Sequence, residues 1–366
     1  MAYVVLMAVI VVAGMIVLIT GWWRLALAIF RIPARSMTVD KLGLRVPAEH
    51  VERVNSILAS FAGGFNATIA SPSAVAWERY CDGLPALLRP FAQEGAAMGY
   101  TPRRLFLFDG PDFERRVVER HPGFRYLHHV GLGFWAGLRR YNPSQLARLV
   151  ADLDPLYRYL CYDGYGFKHA FFDYPKDPAS LRRLDALEGY ARHAAYQGVG
   201  RAMFFHYMGD PPLLKEHVRK LGTHAPDAAG GVGLASVFIF PDRLQIAQEL
   251  AARLPADWHA DVHVGMCFGL KARSINDPGQ LECDLSGAPA EVQAAVRTAI
   301  AECDRIEAQV RAEGVEDGYR CWRARVAAWM TGHVQYPLAG LIGGEPGPGP
   351  ESQTALHAGV GDHGEL

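Results

Sequence analysis

The chain has 366 residues, half of them hydrophobic and a fifth charged, and a formal net charge of −1 at neutral pH. This composition is typical of a packed globular protein, long enough for one large domain or two ordinary ones. Because Lys and Arg are scattered and form no basic patch, nucleic acid is not an expected partner. The six cysteines show no paired spacing, so we expect reduced, mostly buried thiols.

The N-terminus is apolar and carries no charged residue from Ala2 to Trp23. About 20 apolar residues are enough to cross a bilayer as a helix. Trp22 and Trp23 follow where an interfacial aromatic belt would lie. A cleaved signal peptide is the alternative, but it would need a basic start and a small-residue cleavage site. We therefore predict a single-pass transmembrane anchor over residues 1–23.

Basic residues follow this apolar stretch, and none precedes it. They are Arg24, Arg31, Arg35 and Lys41. Because positive charge is retained on the inner side of a membrane, we expect the C-terminal domain in the cytoplasm, anchored at the cytoplasmic membrane. Residues 24–46 are predicted to form a basic connector.

Apolar residues return at helical spacing from Pro47 onward, which predicts a helical domain over residues 47–342. Gly and Ser interrupt the first helical pattern at 63–73, where we expect a break. Asn-Pro and Asp-Pro dipeptides recur between later segments, as expected at the starts of helices. Residues 343–366 are rich in Gly, Pro and acidic residues, which predicts a disordered tail.

Glycine-containing segments recur along this domain, including VGLGFWAGLRR, YDGYGFKHAFF, YQGVGRAMFF and GGVGLASVF. The marker glycines are Gly95, Gly131, Gly164, Gly198, Gly231 and Gly265, with spacings of 36, 33, 34, 33 and 34 residues. A period near 34 residues is typical of stacked helix pairs. We predict a mainly α fold, a helix-pair repeat array with one N-terminal transmembrane helix. We expect the glycines to admit aromatic rings from neighbouring helices, such as those of Phe134, Trp135, Phe167 and Phe204.

Several common catalytic and cofactor motifs are absent from the sequence. Of the Gly-x-Gly segments, GVGRAM at 198–203 lacks the third glycine of a dinucleotide site, and GLGFWAG at 131–137 has its glycines at the wrong offset. His128-His129, His193, His206 and His217 have no metal-ligand spacing. His259, Asp261 and His263 would share a face only in an extended segment, and a solvated loop is the simpler interpretation. We therefore expect no cofactor and no metal.

A polar set occupies the position just before three marker glycines: Glu94, Asp163 and Gln197. Equivalent positions of a stacked array line one face, so these side chains should converge on a concave surface. Arg201 and the pair Lys168-His169 are candidate partners, because a buried carboxylate needs one.

We take Asp163, Arg201 and Glu94 as candidate catalytic residues. The candidate binding residues are Gln197, Lys168, His169, Gly164, Gly166, Gly198, Gly200, Trp135 and Phe167. A purely structural Asp163–Arg201 ion pair is the open alternative.

The order and wording of LRPFAQEGAAMG, VGLGFWAGL, YDGYGFKHAFF, YQGVGRAMFF and GGVGLASVF resemble an uncharacterised bacterial family. This domain of unknown function occurs in enediyne polyketide antibiotic gene clusters and some other actinobacterial-type clusters. The resemblance covers residues from about 31 to about 240 and implies a role in making or handling a hydrophobic polyketide or related metabolite. It supplies no reaction or catalytic residues. The N-terminal span departs from the family's pattern, which suggests a lipid-soluble substrate.

The expected function is that of a membrane-anchored accessory protein that binds or processes a long apolar, polyene-type intermediate in a helical-repeat pocket. An acid-catalysing isomerase or cyclase is one alternative. A tetratricopeptide-like scaffold for other biosynthetic enzymes is another. An enclosed apolar cavity containing Asp163 and Arg201 would favour binding or catalysis, whereas an open groove with exposed apolar patches would favour a scaffold.

Overall fold

The computed structural model of the protein describes residues 2–70, 74–107 and 112–332, without the side chains of 17–20, 22–27, 74–75 and 103–107. Helix accounts for 81% of it, and the described residues contain no strand. The predicted mainly α class is therefore confirmed. The predicted disordered tail lies outside the described residues.

The α-helices of the N-terminal half are α1 Ala2–Phe30, α2 Val39–Leu42, α3 Val51–Ala70, α4 Ala74–Asp82, α5 Arg89–Leu107, α6 Arg125–Leu138, α7 Pro143–Val150 and α8 Tyr159–Lys168. Those of the C-terminal half are α9 Tyr190–Tyr207, α10 Pro211–Arg219, α11 Ala225–Ile239, α12 Leu244–Arg253, α13 His259–Asn276, α14 Pro278–Leu285, α15 Ala290–Glu313 and α16 Gly318–Gly332.

Helix α1 continues past Trp23 into the segment predicted as a connector. Its large apolar side chains described between Tyr3 and Ile16 are exposed. Among the described residues, no helix combines the length and the apolar character that a membrane crossing requires. The end of α1 is fixed to the domain, because the ring of Phe30 meets that of Trp135 edge-on with centroids 5.9 Å apart.

The long helices α3, α5, α6, α8, α9, α11 and α13 pack side by side in chain order. Short helices α7 and α10 connect some of them, and the short helix α14 leads from α13 to α15. Each of the three begins with a proline after an Asn or Asp cap. The side chain of Asp210, for example, accepts a hydrogen bond from the backbone nitrogen of Leu213 at 3.2 Å. The Asn-Pro and Asp-Pro dipeptides therefore start helices as predicted.

The marker glycines lie inside these long helices, where neighbouring backbones touch them. A Cβ atom at Gly164 would lie 1.9 Å from the carbonyl oxygen of Val130 on the preceding helix. At Gly166 it would lie 1.9 Å from the carbonyl oxygen of Ala195 on the following helix. The predicted partner was wrong, because carbonyl oxygens and not aromatic rings fill these spaces. Since no Cβ fits at such distances, the two glycines hold α8 close to both neighbours.

The break predicted at 63–73 does not occur within the described part of that segment, because α3 runs through it to Ala70. A Cβ atom at Gly64 would lie 1.9 Å from the carbonyl oxygen of Ala92 on α5. Gly64 is therefore another helix-packing glycine, although the Gly63-Gly64 dipeptide suggests a turn or loop in a sequence.

Contacts between the two ends of the helix series enclose an interior. Arg53 on α3 forms a two-point ion pair with Asp242, which follows α11, with nitrogen–oxygen distances of 2.5 and 2.7 Å. Arg273 on α13 donates to the carbonyl oxygens of Phe238 and Leu87, the latter at 3.1 Å. These bonds join the N-terminal helices to α11 and α13, so side chains facing the axis are removed from solvent.

Candidate functional site

A charged cluster lies in this interior, formed by Glu94 on α5, Asp163 on α8, and Gln197 and Arg201 on α9. Arg201 Nη1 donates to Asp163 Oδ1. Gln197 Nε2 donates to Asp163 Oδ2 at 2.8 Å. Arg201 Nη2 lies 3.8 Å from Glu94 Oε2. All four residues are at most 7% exposed. The structure thus brings together the four polar residues that the sequence pattern associates.

Local sequence explains this convergence. Glu94, Asp163 and Gln197 each precede a glycine whose missing side chain faces an adjacent helix. The preceding residue lies about 100° around the helix, so its side chain points toward the interior. Arg201 follows Gln197 by four residues and therefore lies on the same face of α9.

The two carboxyl groups have different surroundings. Asp163 accepts from both Arg201 and Gln197. Within the described residues, the only polar contact of the Glu94 carboxyl is its 3.8 Å approach to Arg201. Burial raises the pKa of Glu94 to about 7, although the charge of Arg201 opposes this shift. Glu94 is therefore the group of this cluster that is placed to gain or lose a proton near neutral pH.

Arg201 remains charged despite its burial. Burial lowers its pKa, but the carboxylates of Asp163 and Glu94 raise it above the usual value overall. One guanidinium thus serves two carboxyl groups, and complete ionisation of the cluster leaves it with one excess negative charge.

Two apolar cavities meet at Arg201, each with about 40 Å³ of space open to water-sized molecules. The one on the Asp163 side is lined by Tyr126, Leu127, Val130, Leu160, Asp163, Gln197, Arg201, Leu234, Phe238, Phe268, Ala272, Tyr319 and Trp322. The one on the Glu94 side is lined by Met37, Ile57, Leu58, Phe61, Phe91, Glu94, Phe134, Phe167, Phe171, Arg201 and Phe205. Each has room for a few water molecules.

Aromatic rings form much of the wall on the Glu94 side. The ring of Phe134 lies 5.2 Å from that of Phe61 and 5.8 Å from that of Phe167, measured between centroids. The guanidinium of Arg201 lies 5.1 Å from the centre of the Phe167 ring, a cation–π distance. Phe faces attract positive charge, so this wall can hold flat apolar groups and stabilise a cation.

Several residues predicted for this site lie elsewhere. Lys168 and His169 contact Asp173, with nitrogen–oxygen distances of 2.7 and 2.8 Å. They follow Asp163 by more than one helical turn and have their own carboxylate, so they do not join the cluster. Trp135 packs against Phe30.

The four glycines predicted to bind a ligand are packing positions in this structure: Gly164, Gly166, Gly198 and Gly200. A Cβ atom added at any of them would lie 1.8 to 1.9 Å from a backbone carbonyl oxygen of a neighbouring helix. None of the four lines either cavity. Of the two aromatic residues predicted to bind a ligand, Trp135 and Phe167, only Phe167 lines one of the two cavities, the one on the Glu94 side.

Sequence reasoning missed the wall residues from the C-terminal helices, such as Phe238, Phe268, Tyr319 and Trp322. These apolar positions have no distinctive local sequence pattern, and only the tertiary fold brings them together.

A third cavity of about 330 Å³, lined partly by Asp112, Glu114, Arg148 and Asp152, contains none of the predicted site residues.

The histidines also differ from expectation. His259, Asp261 and His263 belong to α13, so Asp261 points away from the other two and the three share no face. The expected solvated loop is therefore wrong as well. His193, which has no metal spacing in the sequence, lies beside His224 and Asp227. His193 and Asp227 are 34 residues apart, which is also the spacing of the marker glycines. That spacing could have indicated that the two side chains are neighbours on adjacent helices.

Comparison with protein families gives one match. A family described as "Protein of unknown function (DUF1702)" matches residues 22–330, well beyond the segment in which a resemblance was recognised. No curated protein and no solved structure matches the chain.

Proposed function

Because the chain belongs to the DUF1702 family, whose description assigns no activity, we propose a function from the interior of the protein itself. The protein binds a long apolar, polyene-type molecule along the two cavities that meet at Arg201. It does so as a membrane-anchored accessory protein of specialised-metabolite biosynthesis, of the enediyne or polyketide kind. The observation that carries this proposal is the pair of apolar cavities on opposite sides of one buried ionic cluster.

The two cavities are too small to hold a long polyene as they stand. Ligand pockets for drug-sized molecules are typically about 300–1,000 Å³. The two cavities have about 40 Å³ each, so a polyene must widen the interior as it enters. Helix α16 supplies Tyr319 and Trp322 to the first cavity and joins the rest of the domain largely through α13 and α15. We propose that outward movement of α16 opens the interior.

A repeated unit of about 34 residues would explain why Glu94, Asp163 and Gln197, which lie on three different helices, meet in the interior. Hydrogen bonds between adjacent long helices often join residues one such interval apart. His128 Nε2 lies 3.1 Å from Gln93 Oε1, 35 residues earlier. His206 Nε2 donates to the carbonyl of Phe171, also 35 residues earlier, at 2.9 Å. We infer a helical repeat array whose equivalent positions provide the inner wall.

Membrane attachment through α1 would place the protein where a lipid-soluble ligand collects. The support is the absence of charge from Ala2 to Trp23, the basic residues that follow, and the exposed apolar side chains from Tyr3 to Ile16. A reporter fused to the C-terminus should be active in the cytoplasm and sediment with membranes. Periplasmic activity, or a mature chain beginning after Trp23, would overturn this part of the proposal.

The binding proposal is tested with diphenylhexatriene, an apolar conjugated polyene that fluoresces when removed from water. Ala272 lines the first cavity, so Ala272→Phe should fill it and weaken binding. Ala260→Phe is the matched control, because Ala260 lies on the same helix but is exposed. Binding of equal strength in both variants would place the probe outside the interior and contradict the proposal.

Glu94 favours a second candidate function, an acid-catalysed isomerase or cyclase. Its carboxyl is buried, adjoins an aromatic cavity, and has a raised pKa that keeps much of it protonated at neutral pH. The proton would pass from Glu94 to one carbon of a double bond, leaving a cation on the adjacent carbon near the phenyl rings. Loss of a proton from a neighbouring carbon to the Glu94 carboxylate then completes a double-bond shift without any co-reactant.

Glu94→Gln separates the two functions. A catalyst should lose product formation in the producing organism while the variant still binds diphenylhexatriene. A binding protein should keep both. The scaffold alternative has less support, because the cavity that Asp163 and Arg201 both line has a wall made largely of buried apolar side chains.

A further inference from the structure

Two histidines and an aspartate lie together where α9 meets the start of α11, away from the interior cavities. His193 Nδ1 lies 2.9 Å from Asp227 Oδ2, and His224 Nδ1 lies 3.2 Å from the same oxygen. One potential ligand atom from each of the three residues falls within 4.8 Å of the others. Ligand atoms of one zinc-like ion lie about 2.0–2.2 Å from the metal. The two nitrogen–oxygen distances to Asp227 Oδ2 match the spacing between neighbouring ligand atoms around such an ion.

The rings are held in place by stacking. The ring of His224 lies parallel to that of Tyr196, with centroids 4.1 Å apart and planes inclined by 5°. The ring of His193 stacks on Tyr190 at 5.9 Å and 24°. Ligands whose rotamers are fixed by packing lose little entropy when they bind an ion. The side chain of His193 is half exposed, so an ion has access and its remaining coordination positions can take water.

Nearby charges also favour a cation. Asp261 is close enough for the carboxylate of Asp227 to raise its pKa, after the larger effect of burial, to about 6. Arg323 is a buried cation in the same neighbourhood. With both carboxylates ionised and both imidazoles neutral, two negative charges face one guanidinium. The N-terminus of α11 opposes a cation, but its partial charge is smaller than the full charge of Asp227.

We propose that His193, His224 and Asp227 form a binding site for a divalent transition-metal ion, which ties α9 to α11. Two imidazoles and one carboxylate suit zinc, cobalt, nickel or iron(II), whereas magnesium and calcium prefer oxygen ligands. To bind, each neutral imidazole carries its hydrogen on Nε2, leaving Nδ1 free to coordinate. A simple hydrogen-bonded bridge from Asp227 to two histidines is the competing explanation.

The test is titration of the full-length protein, without a histidine tag and after treatment with a chelator, with Zn²⁺ by isothermal calorimetry. Asp227→Asn removes the charge and keeps an oxygen that accepts hydrogen bonds, so it should fold. His193→Ala changes a half-exposed residue and is a second variant that should fold. His121→Ala is the control, because His121 pairs with Glu78 as a single histidine on a single carboxylate.

The proposal predicts one Zn²⁺ per chain at this site, an affinity reduced by more than about tenfold in Asp227→Asn and in His193→Ala, and no change in His121→Ala. Mg²⁺ should not compete. Equal affinity in wild type and both site variants, or the absence of saturable binding, would overturn it and leave a hydrogen-bonded bridge only. The result is independent of the proposed polyene site, because neither cavity is lined by these residues.

Discussion

Glu94 and Asp163 show how two buried carboxyl groups in one cluster differ through their neighbours. Asp163 has two side-chain donors, whereas Glu94 has only a distant guanidinium among the described residues. The pKa of a buried carboxyl rises when hydrogen bonds and charges do not compensate for lost water. The proton on Glu94 is therefore the feature of the cluster most sensitive to pH.

Glu94→Gln should change how stability depends on pH. The pKa of Glu94 is about 7 in the folded protein and about 4.3 in an unfolded chain. The folded state therefore binds more protons between these values, and its stability falls as pH rises from about 4.3 to 7. This effect amounts to roughly 4 kcal/mol and is missing in the glutamine variant. Urea unfolding at pH 4 and pH 8 measures it; parallel pH profiles for the two proteins would contradict the assignment.

Arg201→Met should be far more damaging than Asp163→Asn. Removing the guanidinium leaves two buried carboxyl groups without a cation and costs about 3–5 kcal/mol at pH 8. Asp163→Asn keeps an acceptor for Gln197 and leaves Arg201 with Glu94, so the loss should be smaller. Thermal melts of both variants and the double mutant decide this. A double mutant with wild-type stability and normal probe binding would mean that the pair serves only as scaffold.

At the scale of the helices, paired glycines set the spacing between neighbours. The first glycine of a pair receives a carbonyl oxygen from the preceding helix and the second from the following one, as at Gly131 and Gly133 on α6. Backbone oxygens cannot rotate away as side chains can. The repeated cost of glycine inside a helix, about 1 kcal/mol relative to alanine, is thus offset by close helix contact.

Gly164→Ala tests this explanation, because two effects oppose each other. Alanine would gain about 1 kcal/mol of helix propensity. Its Cβ atom would lie 1.9 Å from the carbonyl oxygen of Val130, and forcing packed helices apart typically costs 1–3 kcal/mol or more. We expect a net loss of stability in chemical denaturation. Gly287→Ala is the control, since nothing lies within 4 Å of the added atom, and equal behaviour of the two variants would refute the packing role.

Much of the helical structure, and the grouping of the polar residues beside the marker glycines, could be predicted from the sequence. Helical spacing predicted a mainly helical domain, and the residues before the marker glycines, Glu94, Asp163 and Gln197, do meet in one cluster with Arg201. The backbone carbonyl oxygens that contact these glycines could not be predicted. A glycine motif indicates that another group comes close to the helix, but it does not indicate which group. Gly64 was assigned to a break because a Gly-Gly pair looks the same in a sequence whether it forms a turn or a tight contact between helices.

At the scale of the whole molecule, contacts distant in sequence enclose the interior and complete the site. Arg273 lies over the rings of Phe238 and Phe91, at 4.2 and 5.5 Å from their centres, and so connects α13 with α11 and α5. No periodic pattern reports such contacts, so the sequence predicted one polar face but not the residues of the C-terminal helices that line the first cavity. Enclosure is also what distinguishes a ligand-binding interior from the groove of a scaffold.

Photo-crosslinking shows whether a long apolar molecule occupies this interior. The full-length protein in membranes is exposed to a polyene hydrocarbon bearing a diazirine, irradiated, digested and mapped by mass spectrometry. We expect crosslinks on α11 and α13 near Phe238 and Phe268, which are lost in Ala272→Phe and retained in Ala260→Phe. Crosslinks confined to α1, or an unchanged map in Ala272→Phe, would contradict it.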